Sequence, residues 1–347
     1  MLQRALFGSF VLCAALMAGC GTTWAPNRQA APEHPQWVGP TNVIARHVET
    51  LTGFKRTGAS FASVMHYLVF GGSSRETQFG QPVAVAIGRD GRMAVADLGR
   101  ASVHLYLAQQ KDYRMITAGG DKPLRTPVGV VFDDDLRLYV SDSTTGAVHV
   151  YDPEGAFLFS IRKAGIEPLR RPTGLAYAPE EKLVYVTDTL AGKLYAFTTG
   201  GEFRLAIGGA GEETGRFNFP THVTVAPNGD LYVVDAMNFR VQTFDASGRF
   251  RSSFGHHGNG SGDLAMPKGI AVDQSGVIYL ADTLFDTVQF FDRQGDYLFT
   301  IGGRGSDQGQ LSMPSGVFLD SGNRLYVCDT YNRRVQVFEV MGSSDHE

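Results

Sequence analysis

The sequence predicts an all-β fold, a six-bladed β-propeller with four antiparallel strands in each blade. Three regularities support this prediction. Six similar segments open with a proline at spacings of 45, 45, 48, 47 and 47 residues, an aspartate follows each proline after 15 or 16 residues, and an aromatic residue follows each aspartate after nine. Repeats of this length are typical of propeller blades, whose radial arrangement leaves only short sheet edges.

The regular positions recur once in every repeat. The prolines are Pro82, Pro127, Pro172, Pro220, Pro267 and Pro314, the aspartates are Asp97, Asp142, Asp188, Asp235, Asp282 and Asp329, and the aromatic residues are Tyr106, Tyr151, Phe197, Phe244, Phe291 and Phe338. A proline can begin a strand because a missing backbone N–H costs little there. A short carboxylate at a strand end accepts backbone N–H groups of the turn, so we expect the aspartates to be structural.

The stretches between these repeated positions predict the other strands of each repeat. In the fourth repeat, a turn over residues 227–230 leads into a second strand over 231–234. Residues 241–244 alternate in the way expected of a half-buried third strand. Residues 297–301 of the fifth repeat are typical of the fourth strand, which runs into a glycine pair. Together the repeats predict a propeller over residues 81–340.

Closing the ring requires one more strand, because the sixth repeat stops after three and would leave an unpaired edge. Residues 41–80 are the spare material, and two stretches compete for the role, 42–50 and 66–72. An apolar stripe at helical spacing predicts a short helix over 60–70 and so favours 42–50 as the closing strand. The stripe consists of Phe61, Val64, Met65, Leu68 and Val69. Residues 341–347 are predicted to be a polar tail.

The repeats share three motifs, Pro-x-Gly-(Val/Ile), Leu-Tyr-Val-x-Asp and Asp-x-x-Asn-x-Arg-Val-Gln-x-Phe, and residues 235–244 and 329–338 match the last one best. In these motifs the sequence resembles the NHL repeat over residues 81–338. The first three repeats lack the asparagine, and the third has Lys193 at the arginine position. The segments Pro-Thr-His-Val and Met-Asn-Phe-Arg-Val-Gln resemble, more narrowly, those of bacterial six-bladed propeller lipoproteins.

The N-terminus has the pattern of a lipoprotein signal over residues 1–19. Arg4 precedes an apolar run too short to span a bilayer with ease, and Leu-Met-Ala-Gly-Cys resembles a bacterial lipobox. Cys20 would then carry the lipid, and Gly21, in place of an aspartate, implies sorting to the outer membrane. The alternative is an ordinary cleaved signal with an incidental cysteine. Residues 20–40, rich in Pro, Ala and Gln, are predicted to form a flexible tether.

Composition argues against nucleic-acid binding and against disulfides. The formal net charge is −4 and no basic block occurs, so nucleic acid is not an expected partner. Cys13 leaves with the signal and Cys20 is committed to lipid, so Cys328 has no intrachain partner for a disulfide. The sequence has no Cys-x-x-Cys-His motif for covalent haem, and we predict no cofactor.

One histidine stands out among the positions expected to line the axial channel. The residue two places after each opening proline is Ala84, Gly129, Gly174, His222, Gly269 or Gly316. Small residues suit the crowding near the axis, so His222 is the exception. It either contacts a ligand or a metal in the channel, or is a hydrogen-bonded side chain that fills space, and both interpretations stay open.

The sequence predicts neither a catalytic residue nor a metal site. Lyases that resemble this repeat use several histidines around zinc, some of them directly after the opening proline. Those positions here hold Val83, Val128, Thr173, Thr221, Lys268 and Ser315. The adjacent His256 and His257 are expected to be solvated in a loop. A catalytic dyad needs two titratable groups with different pKa values at one site. The repeat aspartates are spread around six blades and do not provide such a pair.

These features favour a binding protein over an enzyme. The loops that follow Ile207, Phe254 and Ile301 are long and polar, whereas those after Ile116 and Ile161 are shorter and carry lysine and arginine. A rim that is acidic on one side and basic on the other suits a protein partner. We therefore expect a lipid-anchored scaffold of the bacterial envelope that acts as a monomer within a hetero-complex.

The resemblance to the bacterial lipoproteins also implies one candidate setting, a multihaem cytochrome complex. Two other functions stay open at this stage. One is a metal-dependent hydrolase or lyase of the lactonase type, with Ca²⁺ or zinc in the channel. The other is a binder of cell-wall carbohydrate.

Overall fold

The computed structural model describes residues 23–31, 35–39, 43–57 and 77–341. The signal predicted over 1–19, the lipidation predicted at Cys20, the helix predicted over 60–70 and the alternative closing strand over 66–72 lie outside the described residues. So does nearly all of the polar tail predicted over 341–347. Within the described residues, no helix is long and apolar enough to cross a membrane.

Three strands precede the blades, and the first three blades follow in chain order with two small hairpins between them. The first strands are β1 (Thr23–Ala30), β2 (Gln36–Val38) and β3 (Ile44–Thr57). Blade 1 has β4 (Pro82–Ile87), β5 (Met93–Asp97), β6 (Ser102–Leu107) and β7 (Asp112–Ile116), and the hairpin β8 (Ala118–Gly119) and β9 (Lys122–Pro123) follows it. Blade 2 has β10 (Pro127–Phe132), β11 (Leu138–Asp142), β12 (Ala147–Tyr151) and β13 (Phe157–Ile161), and the hairpin β14 (Lys163–Ala164) and β15 (Glu167–Pro168) follows it. Blade 3 has β16 (Pro172–Ala178), β17 (Leu183–Asp188), β18 (Lys193–Thr198) and β19 (Phe203–Gly208).

The other three blades repeat the pattern. Blade 4 has β20 (Pro220–Val225), β21 (Leu231–Asp235), β22 (Arg240–Phe244) and β23 (Phe250–Phe254). Blade 5 has β24 (Pro267–Val272), β25 (Ile278–Asp282), β26 (Thr287–Phe291) and β27 (Tyr297–Gly302), and blade 6 has β28 (Pro314–Leu319), β29 (Arg324–Asp329) and β30 (Arg334–Met341). Two short 3-10 turns, Leu98–Arg100 and Ala236–Asn238, are the helical elements of the described residues.

The predicted six-bladed propeller is confirmed. All six prolines begin the first strand of a blade, and all six aspartates end the second. In each blade the strands pair in sequence order, antiparallel throughout. Two faces follow from this order. The proline-side face carries the starts of the first strands and the turns between second and third strands, and the far face carries the other turns.

The hydrophobic interior lies between neighbouring blades rather than at one centre. Six apolar clusters of the described residues fill the six interfaces of the ring. The cluster between blades 3 and 4, for example, contains Tyr185, Phe217 and Phe244, all fully buried. Burying each such side chain contributes about 1.5–3 kcal/mol, so the repeated aromatic position binds each blade to its neighbour.

The N-terminal segment closes the ring, as predicted. β3 pairs antiparallel with β30 from Ile44 opposite Met341 to Leu51 opposite Val335. The strand favoured over residues 42–50 is thus the outer strand of blade 6, and it continues further than predicted, to Thr57. Pairing of this kind removes the edge that three strands would have left open.

The structure differs from the flexible tether predicted over residues 20–40. β1 and β2 both pair with the outer edge of β3, which makes the sixth sheet six-stranded. Two tryptophans hold them in place, because the Trp24 ring lies 4.9 Å from that of Tyr113 and the Trp37 ring lies 5.8 Å from that of Phe338. The outer edge of β3 has unpaired backbone N–H and C=O groups, with which β1 and β2 can form hydrogen bonds. The composition of residues 20–40 gave no sign of this pairing.

Candidate functional site

The six repeat aspartates are buried anchors on the proline-side face. Each carboxylate accepts backbone N–H groups from the chain that leads into its own blade. Asp142, for example, accepts the N–H of Arg125 at 2.7 Å and that of Thr126 at 3.1 Å. The six carboxylates therefore hold the entry of each first strand against the end of the second, and they do not converge on one site.

The Asn-x-Arg-Val-Gln part of the motif braces the long loop before its blade. In blade 4, Asn238 Nδ2 donates to the carbonyl of Gly211 at 3.1 Å, and Arg240 Nη2 donates to that of Glu213 at 3.0 Å. Gln242 Nε2 donates to the carbonyl of Arg216 at 2.7 Å, while its Oε1 accepts the N–H of Gly215 at 2.9 Å. The sequence showed the spacing of these residues but not this bracing role.

The first strands of the blades line an axial cavity of about 220 Å³. Its lining residues are the second to fifth after the opening prolines, so the cavity lies toward the far face. The strands crowd most closely at the second position. A Cβ atom on Gly174 would lie 2.5 Å from the Cα of His222, and one on Gly269 would lie 2.3 Å from the carbonyl oxygen of Ser315. The small residues at this position are thus required by contact between neighbouring strands.

His222 is one of the residues that line this cavity. The residue as a whole is half-buried, but neither ring nitrogen reaches solvent and neither has a hydrogen-bond partner among the described residues. Burial and, secondarily, the charge of Lys268 lower the pKa of His222 to about 4. The imidazole is therefore neutral near pH 7, and the hydrogen bonds expected of a space-filling histidine are not found.

Two neighbours of His222 differ from their counterparts in other blades. Thr221 Oγ1 is buried without a hydrogen-bond partner among the described residues, whereas Thr173 Oγ1 lies 2.9 Å from Thr187 Oγ1 and Ser315 Oγ lies 2.8 Å from the hydroxyl of Thr330. Lys268 is half-buried, and burial lowers its pKa. Blades 4 and 5 thus carry polar groups near the axis whose bonding is incomplete.

The other histidine candidates lie in different surroundings. His256 Nε2 lies 2.5 Å from Oδ1 of Asp263, and the His257 ring lies 4.3 Å from that of Phe239. In the part of the chain that the structure describes, no group of three or more His, Cys, Asp or Glu side chains is placed to hold a metal ion. Cys328 is a buried free thiol, and burial raises its pKa well above the usual range.

The proline-side face carries an exposed apolar surface on blades 3 to 6, which we call the apolar arc. Its residues are Leu190, Phe219, Met237, Met266, Leu284 and Tyr331, with exposed fractions between 40% for Met266 and 60% for Tyr331. Each is either two residues after a repeat aspartate or one residue before an opening proline. Large exposed apolar patches of this kind mark interaction surfaces.

A group of exposed cations, which we call the basic arc, lies on the same face beside blades 2 and 3. It consists of Lys122, Arg125, Arg170 and Arg171. The shorter loops that carry these residues contain the hairpins β8–β9 and β14–β15, which the sequence did not predict. Ile166, at the tip of the second hairpin, is 95% exposed.

The chain matches the family model of the NHL repeat over residues 217–244 and 311–338, in blades 4 and 6. A comparison with curated proteins found no match. A virginiamycin B lyase from Staphylococcus aureus is similar in fold, with a TM-score of 0.56 and 9% identity over 92% of this chain and 100% of that one.

A gluconolactonase from Xanthomonas campestris gives a TM-score of 0.61 and 14% identity over 91% of this chain and 100% of the other. A hydrazine synthase from Kuenenia stuttgartiensis gives a TM-score of 0.53 and 16% identity over 77% and 97% of the two chains. At such identities these likenesses concern the fold alone.

Proposed function

Because the chain is a six-bladed β-propeller that carries NHL repeats, we propose that it is a binding protein that holds a protein partner on its proline-side face. The observation that carries this proposal is the apolar arc, six exposed apolar side chains on four consecutive blades. Scattered single hydrophobic residues are normal on a surface, but six at repeat positions of one face, on four consecutive blades, are not a random scatter.

The arc is held rigidly, which favours binding. The N–H of Asn218, the residue before Phe219, donates to Asp235 at 2.6 Å, and the N–H of Met266 donates to Asp282 at 3.0 Å. A surface that is ordered before binding loses less conformational entropy when a partner docks. Methionine and tyrosine are also among the residues enriched in interfaces.

The basic arc indicates the chemistry of the partner. Lys122, Arg125, Arg170 and Arg171 are all exposed beside blades 2 and 3. A partner with an apolar centre flanked by acidic side chains would complement both arcs. Attraction between the basic arc and acidic side chains of a partner accelerates association. Salt screens this attraction, with a Debye length of about 8 Å at physiological ionic strength.

We place this binding in the bacterial envelope. In the proposal, Cys20 carries a lipid anchor in the outer membrane, and the propeller acts as a monomer within a hetero-complex. A multihaem cytochrome complex is one candidate setting. The support for this part is the lipobox-like pattern of residues 16–20 and the resemblance of the repeats to envelope lipoproteins.

Variants of the apolar arc test the proposal. The double variant Met237→Ser and Leu284→Ser should lose partners recovered from gently solubilised membranes, whereas Leu158→Ser, which removes a 46% exposed leucine from an outer strand, should retain them. Raising the salt concentration should weaken capture by the unchanged protein. Equal recovery with both variants would count against a protein partner at this face. Light scattering that shows a homodimer, which the double variant dissociates, would count against a hetero-complex.

A metal-dependent hydrolase or lyase is the second candidate. One observation favours it, the imidazole of His222, a cavity-lining residue whose ring nitrogens have no hydrogen-bond partner among the described residues. Elemental analysis of the purified protein tests it directly. A stoichiometric metal that is lost in His222→Gly would support an enzyme of this class, and a protein without bound zinc or calcium after growth with both metals would speak against it.

A further inference from the structure

We infer that the far-face turns of blade 1 lie against the anionic head groups of a lipid bilayer, so that the proline-side face with its two arcs points away from the membrane. This inference rests on the lipid anchor at Cys20 that is proposed above, and it adds the orientation of the propeller to that proposal. Two independent observations support it: the place where the N-terminal strand is fixed, and the distribution of charge among the far-face turns.

The start of β1 is fixed at the far-face edge of blade 1. Thr23 Oγ1 donates to the carbonyl of Thr57 at 2.6 Å, and the N–H of Trp24 donates to the carbonyl of Lys111 at 2.6 Å. Lys111 lies in the turn between β6 and β7, which is one of the far-face turns. The Trp24 ring also packs on Tyr113, the second residue of β7. The first strand therefore begins beside blade 1 and not beside the axis of the ring.

The distance from this point to the lipid is short. Cys20 and Thr23 are three residues apart in the sequence, and three extended residues span at most about 11 Å. The Debye length at physiological ionic strength is about 8 Å, so charges beside Thr23 are held on the order of one Debye length from the head groups, where the negative surface potential still acts. A flexible tether over residues 20–40 would have left the orientation free, whereas the pairing of β1 with β3 restricts it.

The far-face turns of blade 1 differ in charge from those of the other blades. Residues 88–92 and 108–111 contain three cations and one aspartate, a formal net charge of +2. Arg92 is buried and pairs with Asp90 at 2.8 Å, so the net charge comes from the exposed Arg89 and Lys111. The corresponding cations and acidic residues number one and five in blade 2 (133–137 and 152–156, net −4), one and three in blade 3 (179–182 and 199–202, net −2), one and two in blade 4 (226–230 and 245–249, net −1), one and three in blade 5 (273–277 and 292–296, net −2), and none and one in the turn of blade 6 (320–323, net −1).

Two more exposed cations, Lys55 and Arg56, stand on β3 beside the start of β1. The Arg56 guanidinium lies 5.1 Å from the centre of the Trp24 ring, so it is held at this edge. Asp112 and Arg114, at the start of β7, pair at 3.2 Å and add no net charge. The region around the start of β1 is therefore basic, on a face that is otherwise acidic.

An anionic bilayer would act on this asymmetry in two ways. It attracts the cations of blade 1 and β3, and it repels the acidic turns of blades 2 to 6. Since the acyl chains already retain the protein at the membrane, the charges set its orientation rather than its retention. The proline-side face is then turned away from the lipid, and a partner can reach both arcs.

Quenching of a fluorophore by brominated lipids tests the orientation in the full-length protein reconstituted in vesicles. The fluorophore is attached at Gln109→Cys, in the β6–β7 turn of blade 1, or at Ser247→Cys, in the corresponding turn of blade 4, and both positions are exposed. Cys328 is buried and does not compete for the label. In vesicles of phosphatidylglycerol and brominated phosphatidylcholine in equal amounts, the blade 1 label should be quenched at least about twofold more than the blade 4 label, and the difference should shrink without phosphatidylglycerol or at high salt.

Two double variants test the role of the cations. Arg89→Gln with Lys111→Gln removes the exposed cations of blade 1, and the control, Lys182→Gln with Arg249→Gln, removes exposed far-face cations of blades 3 and 4. Lys111 and Lys182 have similar positive φ values, 50° and 54°, so the two glutamines are matched in backbone cost. The first variant should lose at least about half of the difference between the labels, and the control should retain it.

Equal quenching of the two labels, a difference that does not depend on phosphatidylglycerol, or a full difference in the blade 1 variant would overturn the inference. Mass spectrometry of the N-terminal peptide separates this failure from that of the proposed anchor. A protein without lipid on Cys20 overturns the anchor, and the orientation with it. An acylated protein whose labels are quenched equally overturns the orientation alone, and capture of a partner through the apolar arc is measured independently of both.

Discussion

The Nε2 atom of His104 lies 3.1 Å from Oδ2 of Asp97, and both side chains are completely buried. The Nδ1 atom of the same ring lies 2.9 Å from the hydroxyl of Tyr113. In blades 4 and 6 a glutamine, Gln242 or Gln336, stands at the position of His104 and donates to the repeat aspartate. Blade 1 thus makes the same contact with an imidazole in place of an amide.

This contact gives a pH-dependent prediction for Asp97. Burial pushes the pKa of its carboxyl up, but hydrogen bonds from His104 and from the N–H groups of Gln81 and Gly80 outweigh burial, so the net pKa is lowered. A carboxyl whose folded pKa lies below its unfolded pKa stabilises the fold above the unfolded value, and the stabilisation is lost as pH falls through the folded value. The contribution of Asp97 is therefore present near pH 7 and fades below about pH 4.

Thermal melts of Asp97→Asn over a pH series measure this contribution. At pH 7 we expect a loss of about 1–3 kcal/mol in the free energy of unfolding, because buried donors lose a charged acceptor. The difference from the unchanged protein should narrow below about pH 4. Asp296→Asn, on an exposed turn, is the control and should change the melting temperature little. A difference that is constant with pH would contradict the prediction.

Leu51 tests the closure of the ring. It is fully buried in β3 opposite Val335 of β30. Leu51→Ala should lower the free energy of unfolding by about 2–5 kcal/mol in denaturant titrations, because it leaves a cavity between the closing strand and its neighbours. Leu158→Ala removes the same atoms from a 46% exposed position and should cost about 0.5 kcal/mol or less. Equal losses would show that β3 is not a stabilising part of the ring.

Gly174 tests the crowding of the first strands around the axis. A Cβ atom there meets the Cα of His222 at 2.5 Å, and backbone cannot move aside as a flexible side chain can. We expect Gly174→Ala to cost about 1–3 kcal/mol in unfolding free energy, the usual range for overpacking. Gly200→Ala is the matched control, because its Cβ would meet only Thr198 Oγ1, at 3.7 Å. A tolerated alanine at position 174 would mean that the ring can widen.

Gln242 tests the bracing of the loop before blade 4. Its amide bonds the backbone of Gly215 and Arg216 and the carboxylate of Asp235. Gln242→Ala should accelerate hydrogen exchange of the Gly215 amide and lower the unfolding free energy by about 1–3 kcal/mol. Gln294→Ala, on an exposed turn, should leave exchange in that loop unchanged. Unaltered exchange in both variants would show that the loop is held by other contacts.

Strand boundaries in the blades were predictable because the signals that set them are local. A proline begins each first strand and an aspartate ends each second strand, so an interval of 15 or 16 residues fixes one hairpin. β1 and β2 were missed because their template, the edge of β3, exists only once β3 has paired with β30 at the other end of the chain. Such non-local pairing has no periodicity of its own in the sequence.

The candidate sites were predictable only in part. His222 was identified as the exception among small residues, but its missing hydrogen bonds depend on neighbours from other blades. The apolar arc did have a signal, since Met237, Leu284 and Tyr331 each stand two residues after a repeat aspartate. Repeated spacing can therefore identify surface positions as well as core positions, once the face of each turn is known.

The pairing of β3 with β30 also constrains the order of events during synthesis. Ile44 and Met341 are opposite each other, so the last blade cannot be completed until β30 has left the ribosome. Blades 1 to 5 each consist of contiguous sequence and can form as the chain emerges. The edge of β3 that pairs with β30 must wait unpaired until then, and premature termination before β30 would leave five complete blades in an open, aggregation-prone ring.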